Sequence, residues 1–281
     1  MLSKGVKIPV LGAGTWGLGG KHSADYSKDE CSVCAIRSAI DLEMTHIDTA
    51  EYYGAGHAEE LVGRAIEPYR RDDLFITTKV YRTHLRYSDV LSSISGSLKR
   101  LSISYIDLFL VHGPNPAVPI EETMNAMEAC VDKGYTRFIG VSNFSASLFQ
   151  EAQGNLRKHQ LVANQLYYNL ARVDKPYRNG LSVEEVNSLC EAKNIILIAW
   201  SPLEEGKLAQ PGFPLLDKMA KKYNKTQAQV ALNWLISNKK IITIPKASTI
   251  NHIKENAGAV DWKLDDTDFK ELRESFRNTL I

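Results

Sequence analysis

The sequence predicts a single-domain α/β protein, residues 1–281, built as a (β/α)8 TIM barrel with an N-terminal β-hairpin. Three observations carry that expectation. Eight short β-rich runs alternate with longer stretches in which apolar residues recur at three- and four-residue intervals. The runs end near residues 14, 48, 79, 112, 142, 165, 200 and 245. Their mean step of about 33 residues is the length of one strand–helix unit of a parallel sheet. No Pro/Gly/Ser-rich linker, charge block or low-complexity run divides the chain.

Taken in order, Leu2 to Ile8 alternates around Lys4-Gly5, which predicts a short hairpin plugging the bottom of the barrel. Strands are expected at 10–14, 45–48, 74–79, 106–112, 138–142, 161–165, 195–200 and 241–245. Helices are expected at 29–42, 57–66, 88–101, 120–133, 146–152, 182–193, 226–237 and 266–277. Ser182-Val183-Glu184-Glu185 fits a capping box, with the Ser oxygen accepting from the first free amides and Glu185 reaching back. The rival is an open doubly wound sheet, because Gly12-Ala13-Gly14-Thr15-Trp16-Gly17 spells GxGxxG after a strand. A dinucleotide fingerprint must open directly into a helix, however, and here a polar stretch over 19–28 intervenes and Trp16 puts an indole inside the motif. The barrel is the better reading.

A net charge of +1, from 34 Lys and Arg against 33 Asp and Glu, gives no broad footprint for a phosphate backbone or an anionic membrane. No nucleic-acid or membrane partner is expected, and the chain is read as a monomer or small homo-oligomer. Lys4, Lys7 and Pro9 interrupt the first residues, which lack the apolar core of a secretory signal, so a cytoplasmic location is expected. Four cysteines, at 31, 34, 130 and 190, are too few and dispersed for a disulfide scaffold. Cys31 and Cys34 form a CxxC, but no second ligand pair accompanies it for tetrahedral zinc. They are read as packed thiols of an amphipathic helix, and no metal site is expected.

In such a barrel the chemistry sits where strands give way to loops, at the carboxyl face. Three successive runs end in Asp48, Lys79 and His112. Singly, each has an ordinary explanation: an Asp caps the next turn, a Lys snorkels out of the sheet, a His packs in a core. Together they converge on one mouth, and Tyr53, five residues past Asp48, lies in the loop beside them. The chemistry is coherent. A phenol with a pKa near 10 holds its proton tightly at neutral pH, and a neighbouring ammonium lowers that pKa. Lys79 would supply the charge, Asp48 would hold Lys79, and His112 would direct a substrate oxygen by hydrogen bonding.

The surrounding motifs extend along the whole sequence. They are Gly14-Thr15-Trp16, His46-Ile47-Asp48 leading to Tyr53-Gly54, Ile76-Thr77-Thr78-Lys79, Asp107 to His112, Gly140-Val141-Ser142-Asn143-Phe144, Asn164-Gln165, Trp200-Ser201-Pro202-Leu203, and Ile244-Pro245-Lys246 followed by Glu255-Asn256. In this order and spacing the chain resembles the aldo-keto reductase superfamily, in a short prokaryotic-type form. The resemblance implies NAD(P)H-dependent reduction of aldehydes or ketones to alcohols. Asp48, Tyr53, Lys79 and His112 would be the catalytic tetrad, with Tyr53 as general acid. It also implies an extended nicotinamide cofactor bound without a Rossmann domain. Ser142, Asn143 and Gln165 would hold the carboxamide and Trp200 would stack on the ring, with Gly14 and Thr15 among the contacts. Ser201, Leu203 and Gly206 would lie in the loop over the pyrophosphate. Lys246, Ser248, His252, Glu255 and Asn256 would meet the adenosine end. Trp16, Tyr52 and Tyr81, with His112, would line the substrate pocket.

The chain departs from the family pattern at several places. His252 stands where an arginine commonly grips the 2′-phosphate of NADPH, and Ala247 replaces the usual serine. A guanidinium is always charged and binds phosphate as a fork, whereas a histidine is mostly neutral near pH 7. NADPH/NADP+ remains the expected cofactor because Lys246, Ser248 and Thr249 still offer charge and hydroxyls, with NADH as the alternative. Gly113 stands where relatives often carry an aromatic, and the chain ends at Ile281, soon after the helix expected at 266–277. Both features predict an open, weakly selective pocket for a small-molecule carbonyl substrate. Two other functions compete: a cofactor-binding regulatory barrel with negligible turnover, and a barrel aldolase using Lys79 as a Schiff-base nucleophile. The aldolase reading leaves Ser142, Asn143, Gln165 and Lys246 unexplained.

Overall fold

The computed structural model describes residues 2–3, 5–176 and 180–277. The chain opens with an antiparallel pair, β1 (Leu2–Ser3) and β2 (Val6–Lys7), in which Leu2 faces Lys7 and Ser3 faces Val6. This is the expected hairpin, although its Lys4 lies outside the described residues, as does the end of the chain at Ile281. Ile8, immediately after the hairpin, is fully buried among the side chains that fill the barrel, so the hairpin's exit closes the bottom.

Eight parallel strands then follow in chain order around the ring. They are β3 (Gly12–Gly14), β4 (His46–Asp48), β5 (Phe75–Val80), β6 (Ile106–Val111), β7 (Thr136–Ser142), β8 (Leu161–Tyr167), β9 (Ile196–Trp200) and β10 (Ile241–Thr243). The first meets the last through a bridge between Leu11 and Thr243. Thr243 N–H donates to Val10 O at 3.0 Å and Gly14 N–H to Pro245 O at 3.1 Å. At this seam the backbones run so close that a Cβ on Gly14 would stand 2.7 Å from the Ile244 carbonyl oxygen. β3 and β10 are shorter than the runs that predicted them. Pro9 precedes the first run and Pro245 ends the last, and neither has an N–H to give to a ladder.

The helices between the strands are α1 (Asp29–Asp41), α2 (His57–Ile66), α3 (Tyr87–Leu101), α4 (Ile120–Asp132), α5 (Ala146–Gly154), α6 (Val183–Lys193), α7 (Pro214–Tyr223), α8 (Gln227–Ile236), α9 (Ile250–Ala257) and α10 (Asp266–Arg277). Two of them, α7 and α9, escaped the sequence reading. α7 opens on Pro214, a residue tolerated in the first helical turn but read locally as a loop signal. α9 has eight residues and buries only Ile253 and Asn256, too few for a period to show. Ser182 Oγ accepts from Glu185 N–H at 3.3 Å as expected, but the reciprocal box is complete instead at Thr226 and Gln229. Asn194 and Asn224 end α6 and α7 in the left-handed conformation (φ 57° and 51°).

Apolar side chains form two layers. Phe75, Leu108, Leu110, Ile196, Ile198 and Ile242 fill the barrel, while a larger shell packs between strands and helices. α1 contributes Val33, Ile36, Ala39 and Ile40 to that shell, which turns Cys31 and Cys34 outward. Both thiols are exposed, so the expectation that they pack is corrected; Cys130 and Cys190 are the buried pair. Gly12 and Gly14 belong to a barrel strand and α1 starts only at Asp29, so the GxGxxG spelling carries no dinucleotide turn. Among the described residues no helix is long and apolar enough to cross a membrane.

Candidate active site

β4 ends on Asp48, Lys79 is the penultimate residue of β5, and His112 directly follows β6, where its N–H donates to Val80 O at 2.9 Å. All three therefore stand at the carboxyl end of the ring. Tyr53 joins them because a short 3-10 turn, Tyr53–Gly56, folds back through three left-handed residues: Gly54, Ala55 and Gly56 (φ 58°, 53° and 97°).

Lys79 is fully buried, and its ammonium spends all three N–H bonds. It donates to Asp48 Oδ1 at 2.6 Å, Thr49 O at 2.8 Å and Tyr53 Oη at 3.2 Å. Asp48, 2% exposed, accepts at its second oxygen from Gln165 Nε2 at 2.7 Å, a tie from the far wall of the barrel. Thr15 is buried, with both its N–H and its hydroxyl donating to Asp48 O at 3.0 Å, so its side chain frames the tetrad.

The electrostatics follow from this burial. Burial alone would strip Lys79 of its proton, but the charges and hydrogen bonds of Asp48 and Tyr53 outweigh it and hold the ammonium above its usual range. Tyr53 corrects an expectation. Its phenol is pushed above the usual value near 10, because burial, with Asp48 adding to it, outweighs the pull of the Lys79 charge. His112, edge-on to the Tyr53 ring at 5.5 Å, is pushed down to about 3 by burial and by the Lys79 ammonium. Its ring is neutral, and its Nδ1 is buried with no hydrogen-bond partner among the described residues.

A second group of polar residues lines the next three strand ends. Ser142 Oγ donates to Gln165 O at 3.0 Å. Asn143, in the left-handed region at φ 62°, donates from Nδ2 to His112 O and Ser142 Oγ at 3.0 Å each, and its Oδ1 accepts from Trp200 Nε1 at 3.4 Å. Capping of α5 is the competing explanation for Ser142 and Asn143, and Ser145 performs it, accepting from Leu148 N–H at 3.2 Å. Tyr167 covers one face of Trp200, with ring centroids 4.5 Å apart and planes 18° from parallel.

The segment after Trp200 carries Ser201, Leu203 and Gly206, and it turns through left-handed Ser201, Glu204, Glu205 and Gly206 (φ 52°, 48°, 55° and 95°). Glu204 pins it. This buried carboxylate accepts from Tyr167 Oη, Asn169 Nδ2 and Arg172 Nη2, each at 2.8 Å, which holds it below the usual carboxylate range despite burial. Sequence reasoning missed this anchor, since Arg172 and Glu204 lie 32 residues apart with no local pattern joining them. Glu204→Ala removes the acceptor shared by three donors and is expected to cost about 2–3 kcal/mol, read from the denaturant midpoint. A cost below about 0.5 kcal/mol would show the anchor idle.

The β10–α9 segment brings together Lys246, Ser248 and His252, all exposed, with partly exposed Glu255 and buried Asn256. On the other side of the mouth, Tyr52 stacks on Tyr81 at 4.0 Å with planes 2° apart, and Trp16 lies parallel to Tyr52 at 6.4 Å. His22, also missed in the sequence, adds a ring 5.5 Å from both Trp16 and Tyr52. No group of three or more His, Cys, Asp or Glu that could hold a metal occurs among the described residues.

The fold and this mouth define a parallel (β/α)8 barrel whose buried polar cluster and aromatic wall stand at the carboxyl ends of its strands. The sequence profile of the Aldo/keto reductase family matches residues 10–277, and the chain belongs to that family. Methylglyoxal reductase YeaE of Escherichia coli is 32% identical over 274 residues, covering 96% of this chain and 92% of the relative. Among solved structures, a thermostable aldo-keto reductase, Tm1743, in complex with the inhibitor epalrestat is 42% identical, with a TM-score of 0.90 over 98% of this chain and 100% of the other. An aldo/keto reductase from Klebsiella pneumoniae in complex with NADP and acetate is 31% identical, with a TM-score of 0.85 over 98% and 93%.

Proposed function

We propose that this chain is an NAD(P)H-dependent carbonyl reductase that converts aldehydes or small ketones to alcohols, with Tyr53 as the general acid. One observation carries the reading: a phenol held protonated by burial, an ammonium 3.2 Å from its oxygen, and a neutral imidazole edge-on beside it. The relatives named a methylglyoxal reductase and an NADP-bound reductase support the same chemistry.

The residues present fit a nicotinamide cofactor. A carboxamide needs donors and acceptors together, which Ser142, Asn143 and Gln165 offer at adjacent strand ends. Gln165 spends its amide N–H on Asp48 and leaves Oε1 without a protein partner among the described residues. Trp200, backed by Tyr167, presents a flat apolar face for stacking. When bound, the reduced nicotinamide supplies hydride to the carbonyl carbon. The chain's own residues manage the oxygen. His112, neutral across the working range, orients it by hydrogen bonding, and Tyr53 Oη gives it a proton. Lys79 stabilises the phenolate left behind, and Asp48 keeps Lys79 charged. A Schiff-base nucleophile would need an unprotonated Lys79, which its three acceptors and raised proton affinity oppose.

Loss of NADPH and NADH absorbance with a panel of aldehydes and ketones tests the proposal. Tight cofactor binding without turnover would favour the regulatory barrel instead. The pH dependence follows from the signs. A raised phenol pKa keeps the acid form to higher pH, and His112 near 3 contributes no ionisation around neutrality. Carbonyl reduction is therefore expected to fall only above about pH 10, with no break near pH 6.5. A limb between pH 6 and 7 would contradict the neutral histidine.

A further inference from the structure

We propose that Lys28, at the boundary where α1 begins, acts with Lys246 as the pair of fixed charges that grips a phosphate monoester on the cofactor's adenosine ribose, and so sets NADPH above NADH. This rests on the cofactor reading above and answers the question His252 raises, since that side chain has no permanent charge to offer.

The topology brings the two lysines together. β3 and β10 are neighbours across the seam and run parallel, so the helices that follow them, α1 and α9, start at the same end of the barrel. They pack side by side, with Ala35 and Ala39 of α1 and Ile253 and Asn256 of α9 around one small cavity. Lys28 is the residue before α1, just as Thr249 is the residue before α9, so the start of α1 and the segment that carries Lys246, Ser248 and His252 lie at the same end of two packed helices. Lys21 lies farther along the same loop toward the tetrad, because its carbonyl accepts from Gly54 N–H at 2.9 Å in the turn beside Tyr53.

The charges near this point are not tied up in ion pairs. No ion pair engages Lys21, Lys28 or Lys246 among the described residues, although three carboxylates lie close in sequence. Asp29 and Glu30 are paired elsewhere, and Asp25, which feels the Lys28 charge, makes no ion pair with it. Asp25 accepts from Ser27 N–H at 3.0 Å. Asp29 is held by His57 Nε2 at 2.9 Å and by Arg64 at 3.3 Å, and Glu30 also pairs with Arg64. Although Lys246 is exposed, partial desolvation and then the charges of Lys21 and Lys28 draw its ammonium below its usual range. A dianion would relieve that repulsion, and one held between α1 and α9 meets Lys28 and Lys246 together.

The test is cofactor affinity, measured by calorimetry or protein fluorescence with no substrate present. Lys28→Ala is expected to raise the Kd for NADPH about three- to fivefold while the Kd for NADH changes less than about 1.5-fold, the size of one partly exposed charge contact. Lys28→Arg should restore the NADPH value, and added salt should erase the wild-type preference. Equal weakening of both cofactors would place Lys28 on the pyrophosphate and overturn the inference, as would an unchanged NADPH affinity. Failure of the wild-type protein to bind either cofactor would instead remove the cofactor reading itself, and the inference with it.

Discussion

Tyr53→Phe is expected to reduce carbonyl turnover by about 10²–10⁴-fold while cofactor affinity stays within a few-fold of wild type. The substitution deletes one oxygen. That oxygen is the acceptor of a Lys79 N–H, so removing it takes the proposed proton source and leaves Asp48, Lys79, Gln165 and Trp200 in place. The ring still packs against Trp16, with ring centroids 4.9 Å apart and planes 68° from parallel. The measurement is steady-state turnover beside a direct cofactor titration. Near-wild-type turnover in the variant would remove Tyr53 from the chemistry, and lost cofactor binding would mean that the phenol has a structural role.

Lys79→Met tests the other half of the pair and is expected to cost stability as well as rate. The lysine is fully buried and Asp48 nearly so. Deleting the ammonium leaves a carboxylate with only Gln165 Nε2 as side-chain donor, and an uncompensated buried charge costs about 3–5 kcal/mol. Asp48→Asn in the same chain should recover most of that loss, because the double variant buries no net charge, yet it should remain inactive. A Lys79→Met protein as stable as wild type would show that the pair is not desolvated as its burial indicates. These two outcomes separate what holds the mouth together from what it does.

How far the residues themselves disclosed this site differs from one feature to the next. Asp48, Lys79 and His112 stood out because each polar residue ends an apolar run, a pattern that strand packing alone rarely produces. The eight strands were visible as β-rich runs alternating with helical periods, and the structure gives the capping of α5 to Ser145, not to Ser142 or Asn143. The proton affinity of Tyr53 was not legible. An ammonium beside a phenol argues for a lower pKa, but the depth at which that phenol lies is a property of the assembled ring, and here burial decides the sign. The Glu204 anchor was hidden for a related reason. It joins residues 32 or more apart that become neighbours only when β8 and β9 pair. Cys31 and Cys34 failed as packed thiols because a three-residue spacing shows that two side chains share a helix face without saying which face turns inward.

The seam between β10 and β3 carries a cost that no other part of the ring bears. Most neighbouring strands are about 30 residues apart in the chain, whereas Leu11 and Thr243 are about 230 apart. Closing a loop that much longer costs about 2 kcal/mol of additional chain entropy. The pairing that returns it is slight, one bridge and a few hydrogen bonds, so most of the work of closure falls on Ile8 below and on α1 packed against α9 outside. The two ends of the chain are thus held in register by side chains more than by the ladder, and the loop that bears Lys246 rides on the joint that closes the circle.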